Sequence, residues 1–324
     1  MTNAIEIRGL NKSFGTKKAV QNLDLDVPEG SLYGFIGPNG AGKSTTIRMI
    51  MSIIFPDSGD LRVLGKSSAV ESKDRIGYLP EERGIYKKMK VGAFLKYIAR
   101  LKGLDAAEAE KRTKEWLVRV GLADTYRKKC EELSKGMQQK VQFISAVIHE
   151  PELLILDEVF TGLDPVNRRL MRELISEQND AGRTIIFSTH AMIEAEQLCD
   201  HLFMINKGVK VIDLPMDEIW RRYDPKTVVV EPLDAADVGR AWASLPGVKE
   251  MIETDGVIDL RLHDNADTSE LMRAAANTAK LRRLELKRAS LEDIFIDIAG
   301  GSAEELRQEL RPAAATELEE VRRG

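Results

Sequence analysis

The chain has 324 residues, 48 Lys and Arg against 52 Asp and Glu, and a formal net charge of -4. That length favours one large core joined to a smaller one. The near-balance of charge excludes a protein that grips a polyanion by bulk positive charge, so nucleic acid is not an expected partner. The two cysteines, Cys130 and Cys199, lie far apart with no Cys-x-x-Cys or His-rich spacing. They imply neither a disulfide framework nor a zinc site and fit a reducing cytosol.

The N-terminus alternates Ile5 and Ile7 with Glu6 and Arg8, as a strand does, and has no basic-then-apolar targeting segment. From Ile5 to about Ile212, β-rich runs alternate with helical patterns, which predicts an α/β core with a largely parallel sheet. The clearest strands are Ser31–Gly37, Glu152–Asp157 and Arg183–His190, each ending in polar residues. Ligands of such sheets sit beyond the carboxyl ends of the strands, so these endings should converge.

The first of these strands runs into GPNGAGKST, Gly37 to Thr45, and then into a helical pattern. This is the phosphate loop GxxxxGK[ST] in its strand–loop–helix context, the mark of a P-loop NTPase. Gly37, Gly40 and Gly42 let the backbone, with Pro38, Asn39 and Ala41 between them, wrap its N–H groups around phosphate oxygens. Lys43 is expected on the β and γ phosphates, the Ser44 hydroxyl on Mg²⁺, and Thr45 on the α phosphate.

Lys90 to Lys129 reads as a helical subdomain, set at about 88–140, with Phe94, Tyr97, Ile98 and Leu101 on one face. Residues 83–129 hold fourteen Lys or Arg and five Asp or Glu. A solvated helical face and a surface for anionic headgroups both fit that excess. No apolar run reaches the roughly 18 residues that span a bilayer; Val141–Ile148 is broken by polar residues, so another chain would have to cross a membrane.

Asp157 ends a buried strand, placed to hold a metal's hydration shell, and Glu158 beside it is the candidate catalytic base. His190 ends another strand. Ser134 and Gly136 open a helix and make a second anion-binding helix start. After Asp213 the core pattern stops. WRRYDPK marks a join, giving an ATPase domain over 1–219, a linker over 220–226 and a small α+β unit over 227–300. Ser290 to Asp293 reads as a capping box, and 301–324 as a charged tail, helical or disordered.

ELSKGMQQK (Glu132–Lys140), LLILDE (Leu153–Glu158), FTGLDP (Phe160–Pro165) and STH (Ser188–His190) follow the phosphate loop in that order. With them the chain resembles the ATP-binding subunits of ABC transporters across residues 1 to about 212. The resemblance implies ATP and Mg²⁺ as ligands, His190 as the switch on the γ phosphate, and Phe14 with Val20 against the adenine. It also implies that Ser134, Gly136 and Asp164 complete the site of a second chain, so that two copies, or this chain and a paralogue, sandwich two nucleotides.

Four positions depart from the family pattern. Glu81 replaces glutamine in the segment Ile76–Tyr86 and is expected to contact the metal. Lys135 and Met137 replace a glycine and a glutamine of the signature, and Phe14 replaces a tyrosine. These changes, the C-terminal unit and LEDIFIDIAG resemble the separate ATPase subunits of sodium, drug and antibiotic exporters. That implies a separate membrane permease and a place on the cytoplasmic face of the membrane. The alternative is a soluble ATPase of this family acting in assembly or regulation, and the C-terminal unit is also compatible with ligand sensing or dimerisation.

Overall fold

The computed structural model describes residues 2–82, 84–223, 226–233, 242–263, 265–287 and 290–299. Within them the chain forms two compact units, one ending at Pro215 and one beginning at Met216.

The first unit opens with a long hairpin, β1 (Asn3–Phe14) and β2 (Lys17–Pro28), whose inward residues alternate: Ile5, Ile7, Leu10, Leu23, Leu25 and Val27 are all buried. The fully buried strand β3 (Leu32–Ile36) leads through the phosphate loop into α1 (Lys43–Ile50). β4 (Ser58–Val63) returns to pair with β1, making a three-stranded antiparallel sheet in the order β2-β1-β4. This sheet was not expected from a βα alternation; its half-buried, period-two strands are what an antiparallel sheet with one open face requires.

β5 (Ile76–Leu79), β6 (Leu153–Asp157), β7 (Thr184–Thr189) and β8 (His201–Asn206) join β3 in a parallel sheet, and β9 (Val209–Pro215) runs antiparallel at its edge. The order is β5-β6-β7-β3-β8-β9. β3, β6 and β7 are buried along their whole length, which is why their sequences are nearly unbroken apolar runs. Their carboxyl ends carry Gly37, Glu158 and His190 to one edge of the sheet.

Between β5 and β6 lie α2 (Val91–Leu101), α3 (Ala106–Arg119) and α4 (Lys135–Val147). Asp105 caps α3 by accepting bonds from Ala107 N and Glu108 N, and Ser134 caps α4. The helical region extends past the expected limit of 140, because α4 continues to Val147 to bury Phe143, Ile144 and Val147. Glu110 pairs with Lys96 at 2.6 Å and Lys114 at 2.9 Å, and Glu108 with Arg112 at 2.7 Å, so acidic groups of this basic stretch are used locally. α5 (Pro165–Asp180) and α6 (Met192–Leu198) follow β6 and β7.

In the second unit, α7 (Met216–Tyr223) occupies residues 220–223, which the sequence assigned to a linker. Asp217 with Arg221 and Glu218 with Arg222 form i,i+4 pairs that favour helix over open chain. Residues 224 and 225 of that linker lie outside the described residues, as do 234–241 and the tail read over 301–324. β10 (Thr227–Pro232), β11 (Val248–Thr254), β12 (Val257–Leu262) and β13 (Leu281–Lys287) form an antiparallel sheet in the order β11-β12-β10-β13. That order and α8 (Thr268–Thr278) between β12 and β13 match a ferredoxin-like arrangement. Val228, Val230, Leu260, Trp242, Leu271 and Ala275 fill its core. Ser290 and Asp293 exchange bonds at the start of α9 (Leu291–Ala299), the reciprocal cap read from the sequence.

His149 sets a pH dependence for the first unit. It is buried between α4 and β6, its Nε2–H directed at Ile76 O at 3.2 Å, and that carbonyl also accepts from Lys102 Nζ at 2.8 Å. Burial, with the nearby Lys102 charge adding, lowers its pKa to about 4. The unfolded chain takes up this proton near pH 6.5 and the folded chain only near 4. Stability is therefore full above pH 6.5 and falls as pH drops through that window, by on the order of 3 kcal/mol. Urea unfolding between pH 7 and 4.5 should show this slope, and His149→Gln should flatten it.

Candidate functional site

The loop after β3 turns through three glycines with positive φ: Gly37 at 151°, Gly40 at 77° and Gly42 at 117°. At Gly37 a β-carbon would meet Ile205 O at 2.2 Å, and at Gly42 it would meet Ala19 O at 2.6 Å. Gly37, Pro38 and Ala41 are buried and shape the loop, whereas Asn39 and Gly40 face outward. Lys43 is only 6 % exposed and its Nζ donates to Gly37 O at 2.7 Å and Pro38 O at 3.2 Å. Burial draws its pKa below the ordinary lysine value, opposed by the charges of Glu158, Asp157 and Glu81.

A cleft of about 380 Å³, within the range of small-ligand sites, opens over this loop. Phe14, Lys17, Ala19, Asn39, Gly40, Gly42, Lys43, Ser44, Thr45, Glu81 and Glu158 line it. Phe14 is half exposed and Lys12 Nζ lies 5.6 Å from its ring centre, held there by Asp57 at 2.7 Å. One side of the ring thus has a fixed cation and the ring remains open enough to stack.

Behind the cleft, Asp157 is 1 % exposed and accepts a short bond from Ser188 Oγ. Burial pushes its carboxyl above the usual range; the Ser188 bond opposes this, and Glu81 and Glu158 reinforce it. Glu158 sits just past the strand with φ +52°, a backbone region costly for a non-glycine residue and common at functional sites. Its Oε1 lies 2.9 Å from His190 Nδ1 and its backbone N donates to Ser188 O at 3.1 Å. A carboxylate at the cleft wall, oriented by a histidine, is the arrangement expected of a general base.

The donor set suits a hard divalent cation: the Ser44 hydroxyl lines the cleft and the buried Asp157 carboxyl feels two more carboxylates. Among the described residues no group of three or more His, Cys, Asp or Glu is placed to cage a metal. The protein would therefore provide part of a shell, the rest falling to phosphate and water.

Nine expected site residues do not line the cleft: Gly37, Pro38 and Ala41 are buried in the loop, Asp157 lies behind it, His190 contacts Glu158, and Val20, Ser134, Gly136 and Asp164 stand apart. Val20 is 1 % exposed in the core and offers it no face; Ala19 lines it instead, because neighbours along a strand point opposite ways. Ser134 is exposed, accepting from Met137 N at 3.3 Å as the cap of α4, and Gly136 approaches Leu163 and Asn167. Asp164 caps α5 through Asn167 N at 2.9 Å. Gln139, one turn into α4, donates to Val159 O at 3.0 Å and ties that helix to the residue after Glu158. Sequence reasoning missed Gln139, Ser188 and Lys17, since their roles depend on partners remote in the chain.

The sequence matches the ABC transporter family over residues 20–161 and the DrrA1-3-like C-terminal domain of ATP-binding proteins over 215–299. It is 43 % identical over 296 residues to the uncharacterized ABC transporter ATP-binding protein YhaQ of Bacillus subtilis, covering 91 % of this chain and 98 % of that one. The chain belongs to the ABC transporter ATP-binding proteins. This ABC protein is also 32 % identical to the linearmycin resistance ATP-binding protein LnrL of Bacillus subtilis, over 91 % of its own length and 98 % of the relative's. A solved ATP-binding subunit of an ABC transporter superposes with a TM-score of 0.63 at 30 % identity, covering 68 % of this chain and 93 % of that one. The protein is thus an ATP-binding subunit homologous to the ATPases of drug and antibiotic resistance exporters, in a family whose characteristic activity is ATP hydrolysis.

The crowding at Gly42 gives a direct check. Gly42→Ala puts a methyl against Ala19 O in a left-handed conformation, so ATP affinity should fall about 10-fold or more and the unfolding midpoint should also drop, by a strain of about 1–3 kcal/mol. Titration with ATP measures it.

Proposed function

We propose that this ABC ATPase drives a separate membrane permease, as an exporter, through ATP-dependent closure of two copies of the chain or of this chain with a paralogue. The observation that carries the reading is the 2.9 Å contact of His190 with Glu158, a carboxylate that lines the phosphate-loop cleft. In it Phe14 stacks on the adenine, Thr45 bonds the α phosphate, Lys43 meets the β and γ phosphates, and the backbone from Gly37 to Gly42 wraps the tail. Glu158 takes the proton of the attacking water while His190 holds the carboxylate in line and contacts the γ phosphate.

Ser44 and Asp157, with Glu81 nearby, are the residues that would hold Mg²⁺, which when bound neutralises charge developing on the transferred phosphoryl group. Ser134 is exposed, Gly136 is half-buried, and neither lines the chain's own cleft, which favours their use on the nucleotide of a second copy. Asp164, the cap of α5, is exposed too and is read with them. Among the described residues no helix is long and apolar enough to cross a membrane, which supports a permease carried by a different chain and met at the cytoplasmic face.

Glu158→Gln removes the base but keeps the side chain's size. Phosphate release should fall about 10²–10⁴-fold while ATP affinity changes less than about threefold. Retained turnover would remove Glu158 from the role. In the same assay Glu81→Gln should shift the Mg²⁺ concentration for half-maximal rate; an unshifted curve and rate would exclude its metal contact.

A further inference from the structure

Lys17 begins β2 directly opposite Phe14, across a two-residue turn formed by Gly15 and Thr16. A single hairpin end therefore fixes the aromatic platform and this ammonium together. The hairpin is tied to the phosphate loop and cannot drift from it: Gln21 N donates to Gly208 O at 2.8 Å, and Gly208 N donates to Ala41 O at 2.8 Å. Lys17 Nζ lies 3.8 Å from where a β-carbon on Gly40 would sit, on the outward face of the loop. Lys43 approaches the loop from beneath, bound to the carbonyls of Gly37 and Pro38.

Charge gives the second argument. The cleft is lined by two carboxylates, Glu81 and Glu158, and two ammonium groups, Lys43 and Lys17. Without Lys17 the lining would be net negative, opposed to a polyphosphate. Its neighbours Lys12 and Lys210 are held by carboxylates, at 2.7 Å and 3.2 Å, but Lys17 makes no ion pair among the described residues. An exposed ammonium with no ion pair among the described residues, set in the cleft lining beside the outward face of the phosphate loop, is arranged for an anion.

We infer that Lys17 is a second phosphate-binding lysine of the nucleotide site, contacting an oxygen of the diphosphate portion shared by ADP and ATP from the side opposite Lys43. The inference rests on the ATP-binding reading of the cleft and adds a residue outside the GxxxxGK[ST] motif. Lys17 acts on affinity, whereas Glu158 and His190 act on the chemical step. Because it is exposed at a hairpin end, its removal should not disturb the core.

The test is titration of the full chain and its Lys17→Ala and Lys17→Arg variants with ADP, ATP and adenosine, with thermal unfolding as a fold control. In Lys17→Ala, ADP and ATP should each bind about 5- to 20-fold more weakly, adenosine should be unaffected, and the salt dependence of ADP binding should lessen. Lys17→Arg should stay within about threefold of the wild type. Unchanged ADP affinity in a folded Lys17→Ala would overturn the inference, as would weakening of ATP alone or an equal loss for adenosine. Failure of the wild type itself to bind ATP would instead sink the reading on which the inference stands.

Discussion

The site depends on one piece of crowding: the backbone around Gly42 leaves no room for a side chain. Ala19 O, Ile205 and Gly208 all press on that point, so the first hairpin, the phosphate loop and the β8–β9 turn are packed backbone against backbone. The bonds from Gln21 to Gly208 and from Gly208 to Ala41 complete the arrangement. Its consequence is positional. Phe14 and Lys17, which come from an antiparallel sheet, are held over a loop that belongs to a parallel one. Preorganisation of this kind is worth more to binding than any one contact, because the ordering cost is met on folding.

Beneath the loop, charge is concentrated and then balanced. Burial draws the Lys43 pKa down against the charges of Glu158, Asp157 and Glu81, and burial pushes the Asp157 carboxyl up, with Glu81 and Glu158 adding to it. Such perturbed groups, with Glu158 in a left-handed backbone region, are typical of a site shaped for chemistry at the expense of local stability. Gln139 links α4 to Val159, and Gly136 approaches Leu163 and Asn167. The helix that begins at Ser134 is therefore packed against the segment that follows Glu158, so on the proposed reading a second chain docking at Ser134 would act on the geometry at Glu158 through this packing.

Much of this was legible from local pattern. Strands Leu32–Ile36, Leu153–Asp157 and Thr184–Thr189 are buried on both faces and so wrote themselves as apolar runs. The phosphate loop, Glu158 and His190 were legible because each follows such a run. What failed depended on pairing between distant segments. Val20 was taken for a cleft residue because the register of β1 on β2, which turns Ala19 and Lys17 toward the cleft, is not a local property. The Asp-Pro at 224–225 read as a linker, whereas the preceding Trp220–Tyr223 is helical, since the pairs that hold it are weak signals in a charged stretch. The antiparallel sheet β2-β1-β4 was missed because β4 is short and mostly exposed.

The central claim is that each cleft is half of a catalytic site, completed by Ser134 of another copy. Its most direct test is complementation between two inactive chains, Lys43→Ala and Ser134→Arg, each verified as folded. Alone, each should lack ATPase activity. Mixed in equal amounts, half the dimers pair an intact phosphate loop with an intact Ser134 at one of their two sites, and about a quarter of the wild-type rate should return. A mixture that stays inactive, or a Ser134→Arg chain that hydrolyses ATP alone at the wild-type rate, would contradict the account.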